Sequence, residues 1–267
     1  MARAAVDVRR GGFFMENKFV TGLKKFCFYA AGLLFIAVGI NFSRLSKLGI
    51  SPVSSVPGSC NILFGWSLGA WTIVVYCLLI VLQIIVLRKQ FKPINLLGIP
   101  IAVAFGLMVD FFGVGSGPIN FFGLEIGFGN WLGFLPKPEV YPARLGYFAA
   151  SLVLIAVGVF LYLRPKWPAM PAEGLAGAIS QVSGMKFGNC KSIVDTSMIV
   201  VSFSMHFIYS MIKGVNALDY VKAFAGIGDT EIVVGIGTLI SAVVIGQLVK
   251  LLTKLMGQKV DGWIFNK

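Results

Sequence analysis

The chain alternates long apolar stretches with short polar segments, and six of the apolar stretches are long enough to cross a membrane. A hydrocarbon core of roughly 30 Å requires about 20 mostly apolar residues per helical crossing. This pattern predicts an all-α integral membrane protein with six transmembrane helices. The predicted crossings are residues 26–45, 68–87, 95–113, 144–163, 192–212 and 231–252.

The composition indicates that lipid is the main solvent of this protein. Of its 267 residues, 57% are hydrophobic and only 13% are charged, and the mean hydropathy is +0.85. A single globular core of this size would not bury so much apolar surface.

The net charge of +12 comes from basic residues at the ends of the apolar stretches. A nucleic-acid interface would instead gather them on one soluble face, so no nucleic-acid partner is expected. The positive-inside rule favours a bacterial cytoplasmic (inner) membrane protein with both termini inside. The basic residues that carry this orientation are Lys18, Lys24, Lys25, Arg88, Lys89, Lys92, Arg164, Lys166, Lys186, Lys191, Lys254, Lys259 and Lys267.

The two halves of the chain match each other at a shift of 119 residues. An odd number of crossings per half means that the second half enters the membrane from the opposite side. We therefore predict two inverted-topology three-helix repeats, a construction common in secondary transporters. The matches are Ile36-Ala37-Val38-Gly39 with Ile155-Ala156-Val157-Gly158, and Pro52, Gly58, Gly65 and Gly69 with Pro171, Gly177, Gly184 and Gly188; the third helices correspond after an insertion at 214–229.

Each half also contains an interrupted segment between its first two crossings. In the first half, Ser51 followed by Pro52 is typical of a helix start, and Gly65 is a helix breaker. The equivalent segment runs from Met170 to Gly184. We predict two re-entrant half-helices, because non-helical backbone at membrane depth is tolerated only where it is buried in protein or lines a wet cavity. An ordinary surface hairpin is the alternative.

The predicted organisation has five parts. The segment 113–143 is rich in glycine and aromatic residues, which indicates an interfacial linker or a lid over an outer vestibule. Arg9-Arg10-Gly11-Gly12 shortly before Met15 resembles a translated ribosome-binding site, so we hypothesise that Met15 is the natural start and that residues 1–14 are not native. The parts are a cytoplasmic N-terminal segment 1–25, a first repeat 26–112, an outer linker 113–143, a second repeat 144–252 and a cytoplasmic tail 253–267.

Several motifs resemble a known family. The helix around Gly39, the Leu48-Gly49-Ile50-Ser51-Pro52 motif, the Gly65 to Gly69 segment and the Gly98 to Gly106 helix are similar to the YczE/YyaS/YitT group of bacterial membrane proteins. The resemblance covers residues 26–252 and implies a membrane protein with a transport role. Val53 departs from the family pattern, in which Asp or Asn often follows the Ser-Pro pair.

The half-helix N-termini indicate where a solute would bind. Each would direct unpaired N–H groups and about half a positive charge at the midplane, which suits a carboxylate, sulfonate or phosphate. We predict a secondary transporter for a small polar or anionic organic solute; a passive channel or lipid-handling protein, and a non-transporting sensor or assembly partner, are the alternatives. The predicted substrate-binding residues are Ser51, Pro52, Ser54, Ser55, Gly58, Ser59, Pro171, Glu173, Gly174 and Gly177.

Ionisable residues within membrane segments are costly, so each is a candidate for ion coupling. Glu173 can carry a coupling proton, or it can be a carboxylate that complements a helix N-terminus. Asp195 can couple, or it can form a local ion pair with Lys191. His206 can relay protons, or it can be a hydrogen-bonded packing residue. Asn41 and Gln83 can contact solute or bridge helices.

No catalytic, metal or cofactor function is expected. The chain has no HExxH motif, nucleophile elbow or phosphate-binding loop. Its four cysteines show no CxxC spacing, which argues against a zinc site. The expected partners are a small-molecule solute and membrane lipid, while the oligomeric state stays open.

Overall fold

The computed structural model describes residues 2–115, 119–127, 129–214, 221–222, 224 and 233–265, with side chains from residue 19 onward except at 210 and 265. Long helices dominate these residues. The helices are α1 (Ala2–Ser46), α2 (Pro52–Phe64), α3 (Leu68–Leu87), α4 (Gly98–Phe111), α5 (Tyr141–Leu163), α6 (Pro171–Ser183), α7 (Phe187–Ile212) and α8 (Ile236–Phe265), with short 3₁₀ turns at Arg88–Gln90 and Pro93–Leu97 and a hairpin of β1 (Ile119–Phe121) and β2 (Leu124–Ile126).

Six helical segments in the described part of the chain are long and apolar enough to cross a membrane, as predicted. Each has at least the length that a 30 Å core requires. All six overlap the predicted crossings. The ends differ by at most seven residues, except that the last segment ends twelve residues beyond position 252. The segments are Phe19–Ser46, Leu68–Gln90, Pro93–Phe111, Tyr141–Leu163, Phe187–Tyr209 and Ile236–Ile264.

The structure departs from the predicted pattern at two places. Helix α8 continues to Phe265, through most of the segment assigned to a tail, because its Lys and Gln residues are good helix formers. The linker contains a hairpin whose two turn residues, Phe122 and Gly123, have positive φ of 52° and 87°. Positive φ at both central residues is the geometry of a tight hairpin turn. Most of the insertion predicted at 214–229 lies outside the described residues.

Helices α1 and α5 cross in close contact at glycines. A Cβ at Gly39 would lie 2.7 Å from Ile155 Cγ1, and a Cβ at Gly158 would lie 2.6 Å from Ile36 Cγ1. The two contacts are equivalent under the shift of 119 residues, which relates Gly39 to Gly158 and Ile36 to Ile155. Because later positions on α1 meet earlier positions on α5, the two helices run antiparallel. Small residues permit this close approach of two backbones.

Each of the short helices α2 and α6 packs against a long helix from the other half of the chain. Helix α2, from the first half, packs against α7 of the second half, and helix α6, from the second half, packs against α3 of the first. Each short helix also contacts the long helix that follows it in its own half. The two halves are therefore interleaved, with α2 and α6 between long helices.

Asp110 on α4 holds the beginning of α3. Its carboxylate accepts hydrogen bonds from the Gly69 N–H at 2.7 Å and from the Ser67 hydroxyl at 2.5 Å. The Ser67 hydroxyl in turn accepts from the Ala70 N–H at 3.1 Å. A negative charge at a helix N-terminus is favourable because it meets unpaired N–H groups. Asp110 is 9% exposed, so it is buried rather than open to the membrane interface.

Candidate functional site

Proline and glycine set the ends of the two short helices at equivalent positions. Helix α2 begins at Pro52 and α6 at Pro171, and each has 13 residues. Proline is favoured at the first helical position because its missing N–H would be unpaired there anyway. Both helices end at a glycine in the left-handed region, Gly65 at φ 78° and Gly184 at φ 71°. No side chain caps either N-terminus.

Hydroxyl groups attach α2 to α7. The Ser202 hydroxyl donates to the Ser55 carbonyl at 3.0 Å, and it pairs with the Ser59 hydroxyl at 2.7 Å. The Ser55 hydroxyl donates to the Pro52 carbonyl at 2.7 Å within its own helix. Ser55 and Ser59 are completely buried. These two predicted binding residues therefore face α7 and join helices.

The equivalent contact between α6 and α3 uses an amide. The Gln83 side chain donates from Nε2 to the Pro171 carbonyl at 2.9 Å. The amide group of Gln83 packs against Gly174, where an added Cβ would lie 2.8 Å from Gln83 Oε1. Gln83 thus bridges helices, one of its two predicted roles. The other interior amide, Asn41, also bridges helices, because its Nδ2 donates to the Val109 carbonyl at 2.9 Å.

A cavity of about 230 Å³, here called cavity A, lies beside α2. Gly58, a predicted binding residue, lines it, whereas Ser51 and Ser54 are buried and lie 3.2 Å apart, hydroxyl to hydroxyl. Among the described residues of its lining, three are basic and none is acidic. The basic residues are Arg44, Lys47 and Lys137, and Arg44 also donates to Asn61 Oδ1 at 2.9 Å.

A second cavity of about 250 Å³, cavity B, lies beside α6. Three predicted binding residues line it, namely Pro171, Gly174 and Gly177. Leu87 and Asn95 line it as well, so it lies next to the loop between α3 and α4. Cavity A instead adjoins the linker before α5, through Lys137 and Pro138.

The linings of the two cavities are related by the shift of 119 residues. Four positions that line cavity A have their equivalents, 119 residues later, in the lining of cavity B. Each cavity therefore occupies the same face of its short helix, although one adjoins the linker and the other adjoins the α3–α4 loop. The equivalent pairs are Gly49 and Pro168, Ile50 and Ala169, Gly58 and Gly177, and Ile62 and Gln181.

Glu173 belongs to a cluster of three charged side chains between α6 and α7. Lys191 Nζ lies 3.3 Å from Glu173 Oε1 and donates to Asp195 Oδ1 at 2.9 Å. The Glu173 and Asp195 side chains are only 15% and 16% exposed, and that of Lys191 is 27% exposed. The predicted local pair of Lys191 and Asp195 is present, and Glu173 extends it to a second helix.

Three tyrosines from other helices surround this cluster. Tyr29, Tyr76 and Tyr162, on α1, α3 and α5, are all close enough to the Glu173 carboxylate to interact with it electrostatically. The Tyr29 hydroxyl donates to the Pro168 carbonyl at 3.0 Å. The fully buried Tyr162 hydroxyl makes no hydrogen bond of normal geometry to the described residues. Tyrosines from three further helices therefore lie within electrostatic range of Glu173.

His206 lies apart from this cluster. It is eleven residues beyond Asp195 on α7, which is about 16 Å along a helix. It is 3% exposed, and its ring centroid is 6.4 Å from that of Tyr209. The structure thus brings together two of the three predicted coupling residues. Among the described residues, no group of three His, Cys, Asp or Glu side chains is arranged to hold a metal ion.

Sequence reasoning missed the tyrosines and the basic lining of cavity A. Tyrosine within an apolar helix gives no signal of its own, because most such residues are core or interfacial. Arg44 lies near the end of α1 and Lys137 lies in the linker, where simple hydration accounts for a basic side chain. Only the contact between separate helices reveals their role.

Comparison with known proteins identifies a family for this chain. Residues 23–254 match a family described as a family of unknown function (DUF6198). The chain belongs to this family. It is similar to two proteins of Bacillus subtilis (strain 168): "Uncharacterized protein YyaS", 28% identical over 60% of this chain and 70% of the relative, and "Uncharacterized membrane protein YczE", 26% identical over 68% and 74%. No solved structure matches it. The resemblance to the YczE/YyaS type is thus confirmed.

Proposed function

We propose that this membrane protein is a secondary transporter for a small polar or anionic organic solute, built from two inverted three-helix repeats. The antiparallel contact of α1 with α5 supports the inversion, because these helices begin the two repeats. On this proposal, α2 and α6 are re-entrant half-helices. Residues Gly58 and Gly177 then lie on the solute path.

The observation that carries the proposal is the equivalence of cavities A and B. Inverted repeats place equivalent elements at opposite faces of the membrane, so that exchanging their conformations moves access from one side to the other. Two related cavities beside two related short helices are what such an exchange requires. Cavity A adjoins the linker assigned to the outside, and cavity B adjoins the α3–α4 loop assigned to the cytoplasm.

The preference for an anion is supported by the charges around cavity A. Arg44, Lys47 and Lys137 line it, which gives it a positive field that concentrates anions. The uncapped N-termini of α2 and α6 add N–H groups and partial positive charge. On this proposal both termini lie in the cytoplasm of a bacterial cell, an orientation that the basic loops support by the positive-inside rule.

The test is solute flux in proteoliposomes, after a screen for metabolites that raise the melting temperature of the purified protein. We expect saturable uptake driven by an ion or solute gradient. Flux that rises linearly with concentration would indicate a passive channel. Scrambling of labelled phospholipid would indicate lipid handling, and no flux of either kind would indicate a sensor or assembly partner.

A matched pair of glycine variants makes this test specific. Gly177→Phe fills cavity B, and a Cβ there meets nothing within 4 Å. Gly188→Phe adds the same side chain on α7, also with nothing within 4 Å of the Cβ, away from cavities A and B. We expect the first variant to fold and to lose uptake, and the second to retain it. Equal uptake by both variants would remove cavity B from the solute path.

A further inference from the structure

We propose that Glu173, Lys191, Asp195 and Tyr162 form a site that binds one exchangeable proton, carried on the carboxylate of Glu173. The role of this proton in driving uptake rests on the proposed transport function. The site itself does not, because proton binding can be measured without any flux.

The cluster contains one more acidic group than basic groups. Two carboxylates and one ammonium give a net charge of −1 when all three groups are ionised. A net charge is costly in a mostly buried place within a membrane protein, because little water remains to solvate it. Uptake of one proton makes the cluster neutral, with one ion pair and one carboxylic acid.

Geometry assigns the proton to Glu173 rather than to Asp195. Asp195 accepts a hydrogen bond from Lys191 at 2.9 Å and lies four residues away on the same helix, so this pair forms within α7 alone. Glu173 reaches Lys191 from α6 at the longer distance of 3.3 Å. Neutralising Glu173 therefore sacrifices the weaker of the two contacts.

The surrounding helices add hydroxyl groups. The titratable groups whose interaction with Glu173 the structure describes include Tyr29 on α1, Tyr76 on α3 and Tyr162 on α5, besides Lys191 and Asp195 on α7. The buried Tyr162 hydroxyl is the unsatisfied member. A hydroxyl donates to a carboxylate and accepts from a carboxylic acid, so it can serve Glu173 in both states.

The first half of the chain has no charged counterpart of this cluster. The positions equivalent to Glu173, Lys191 and Asp195 are Ser54, Thr72 and Tyr76, all neutral. Tyr76 and its own equivalent, Asp195, interact electrostatically. Equivalent residues come close only near the axis that relates two repeats. The equivalent positions therefore provide no second proton site, and the site at Glu173 lies at the boundary between the halves.

Protonation would change how α6 is attached. The neutral acid no longer forms an ion pair with Lys191, which remains with Asp195, so the electrostatic link between α6 and α7 is lost. Pro171 and Gly174, on either side of Glu173 in the sequence, line cavity B. A proton from the aqueous phase adds to a Glu173 oxygen and leaves from it to the other side, with no other bond made or broken.

The experiment is infrared difference spectroscopy of the full chain in lipid, titrated over pH. The carbonyl stretch of a protonated carboxyl group is the readout. We expect one buried carboxyl band in the wild type, absent in Glu173→Gln and retained in the control Asp261→Asn. Asp261 is matched in chemistry, since it also pairs with a basic residue, Arg164, at 3.1 Å, but it lies outside the cluster.

Two further variants keep the test informative if Glu173→Gln folds poorly. Lys191→Met removes the neighbouring positive charge that favours the ionised carboxylate, so the protonated band should persist to higher pH than in the wild type. Tyr162→Phe removes the hydroxyl that interacts with Glu173 and should move the band frequency. A midpoint unchanged in Lys191→Met, together with a frequency unchanged in Tyr162→Phe, would overturn the site.

Other outcomes separate the site from transport. A band that survives in Glu173→Gln, or that disappears only in Asp195→Asn, overturns the assignment to Glu173. Displacement of the band by sodium at fixed pH overturns a proton as the bound cation. Flux without a titrating band leaves the transporter standing and rejects this site, whereas a titrating band without flux retains the site and rejects its coupling role.

Discussion

The hydroxyl of Ser202 on α7 donates to the backbone carbonyl of Ser55 on α2 at 3.0 Å. The equivalents of these residues, Gln83 on α3 and Gly174 on α6, are also in contact. A side chain of a long helix thus meets the short helix of the other half at the same position twice. The first contact is a hydrogen bond from a serine hydroxyl, and the second is the packing of a glutamine amide against a glycine. The position along the two helices is the same in both.

Gln83→Leu should destabilise the protein without unfolding it. The substitution removes the bond to the Pro171 carbonyl and keeps a side chain of similar size. Interhelical hydrogen bonds in membrane proteins contribute about 0.6 kcal/mol on average and up to about 1.7 kcal/mol. Thermal unfolding in detergent is the measurement, with Gln247→Leu on the exposed side of α8 as the control. Equal melting temperatures for the two variants would show that the bond contributes nothing.

Gly32→Ala should disrupt the crossing of α1 and α5. An added Cβ would lie 2.6 Å from the Tyr162 backbone nitrogen and 2.8 Å from the Gly158 carbonyl oxygen. Backbone atoms cannot move aside cheaply, so we expect a loss of about 1–3 kcal/mol. Gly22→Ala on the same helix meets nothing within 4 Å and should be neutral or stabilising by about 0.5–1 kcal/mol. A neutral Gly32→Ala would contradict the close crossing.

The helices could be predicted because their causes are local. Apolar length determines the crossings, and the proline and glycine at each end of α2 and α6 determine where those helices begin and end. The register of 119 residues then relates Pro52 to Pro171 without any knowledge of the fold. The same local logic placed Lys191 and Asp195 four residues apart on one helix face.

The site could be predicted only in part because its contacts join distant segments. Nothing in the spacing of Ser55 and Ser59 indicates that they face Ser202, so their hydroxyls were assigned to solute rather than to helix packing. The approach of Tyr162 to Glu173 likewise depends on how α5 and α6 lie together. The predicted binding residues that do line the cavities have no polar side chain; they are Gly58, Pro171, Gly174 and Gly177.

Asp110→Ala should loosen the beginning of α3. The carboxylate accepts two hydrogen bonds there. A hydrogen bond to a charged group contributes about 1.5–3 kcal/mol to stability. We expect a loss of this order in unfolding free energy, with Asp110→Asn losing less because its amide oxygen still accepts from the Gly69 N–H. Glu125→Ala on the exposed strand β2 is the control. An unchanged melting temperature in Asp110→Ala would exclude the capping role.

Two native cysteines, Cys60 and Cys190, are poor reporters of membrane orientation. Cys60 and Cys190, whose labelling from opposite sides would otherwise test the topology, are 6% and 0% exposed. A thiol reagent reaches a buried sulfur slowly from either side, whatever the orientation. The equivalent positions Ile62 and Gln181 are more accessible, and they line cavities A and B respectively.

On a background without native cysteines, Ile62→Cys should react with a membrane-impermeant thiol reagent added outside intact cells. Gln181→Cys should react only when the reagent reaches the inside, as in inverted vesicles. The two positions share one place in the repeat, so opposite labelling follows only if the halves are inverted. A permeant reagent that labels both variants controls for intrinsic reactivity. Labelling of both from the same side would show that α2 and α6 face the same aqueous phase, and cavities A and B would then not be alternate openings of one path.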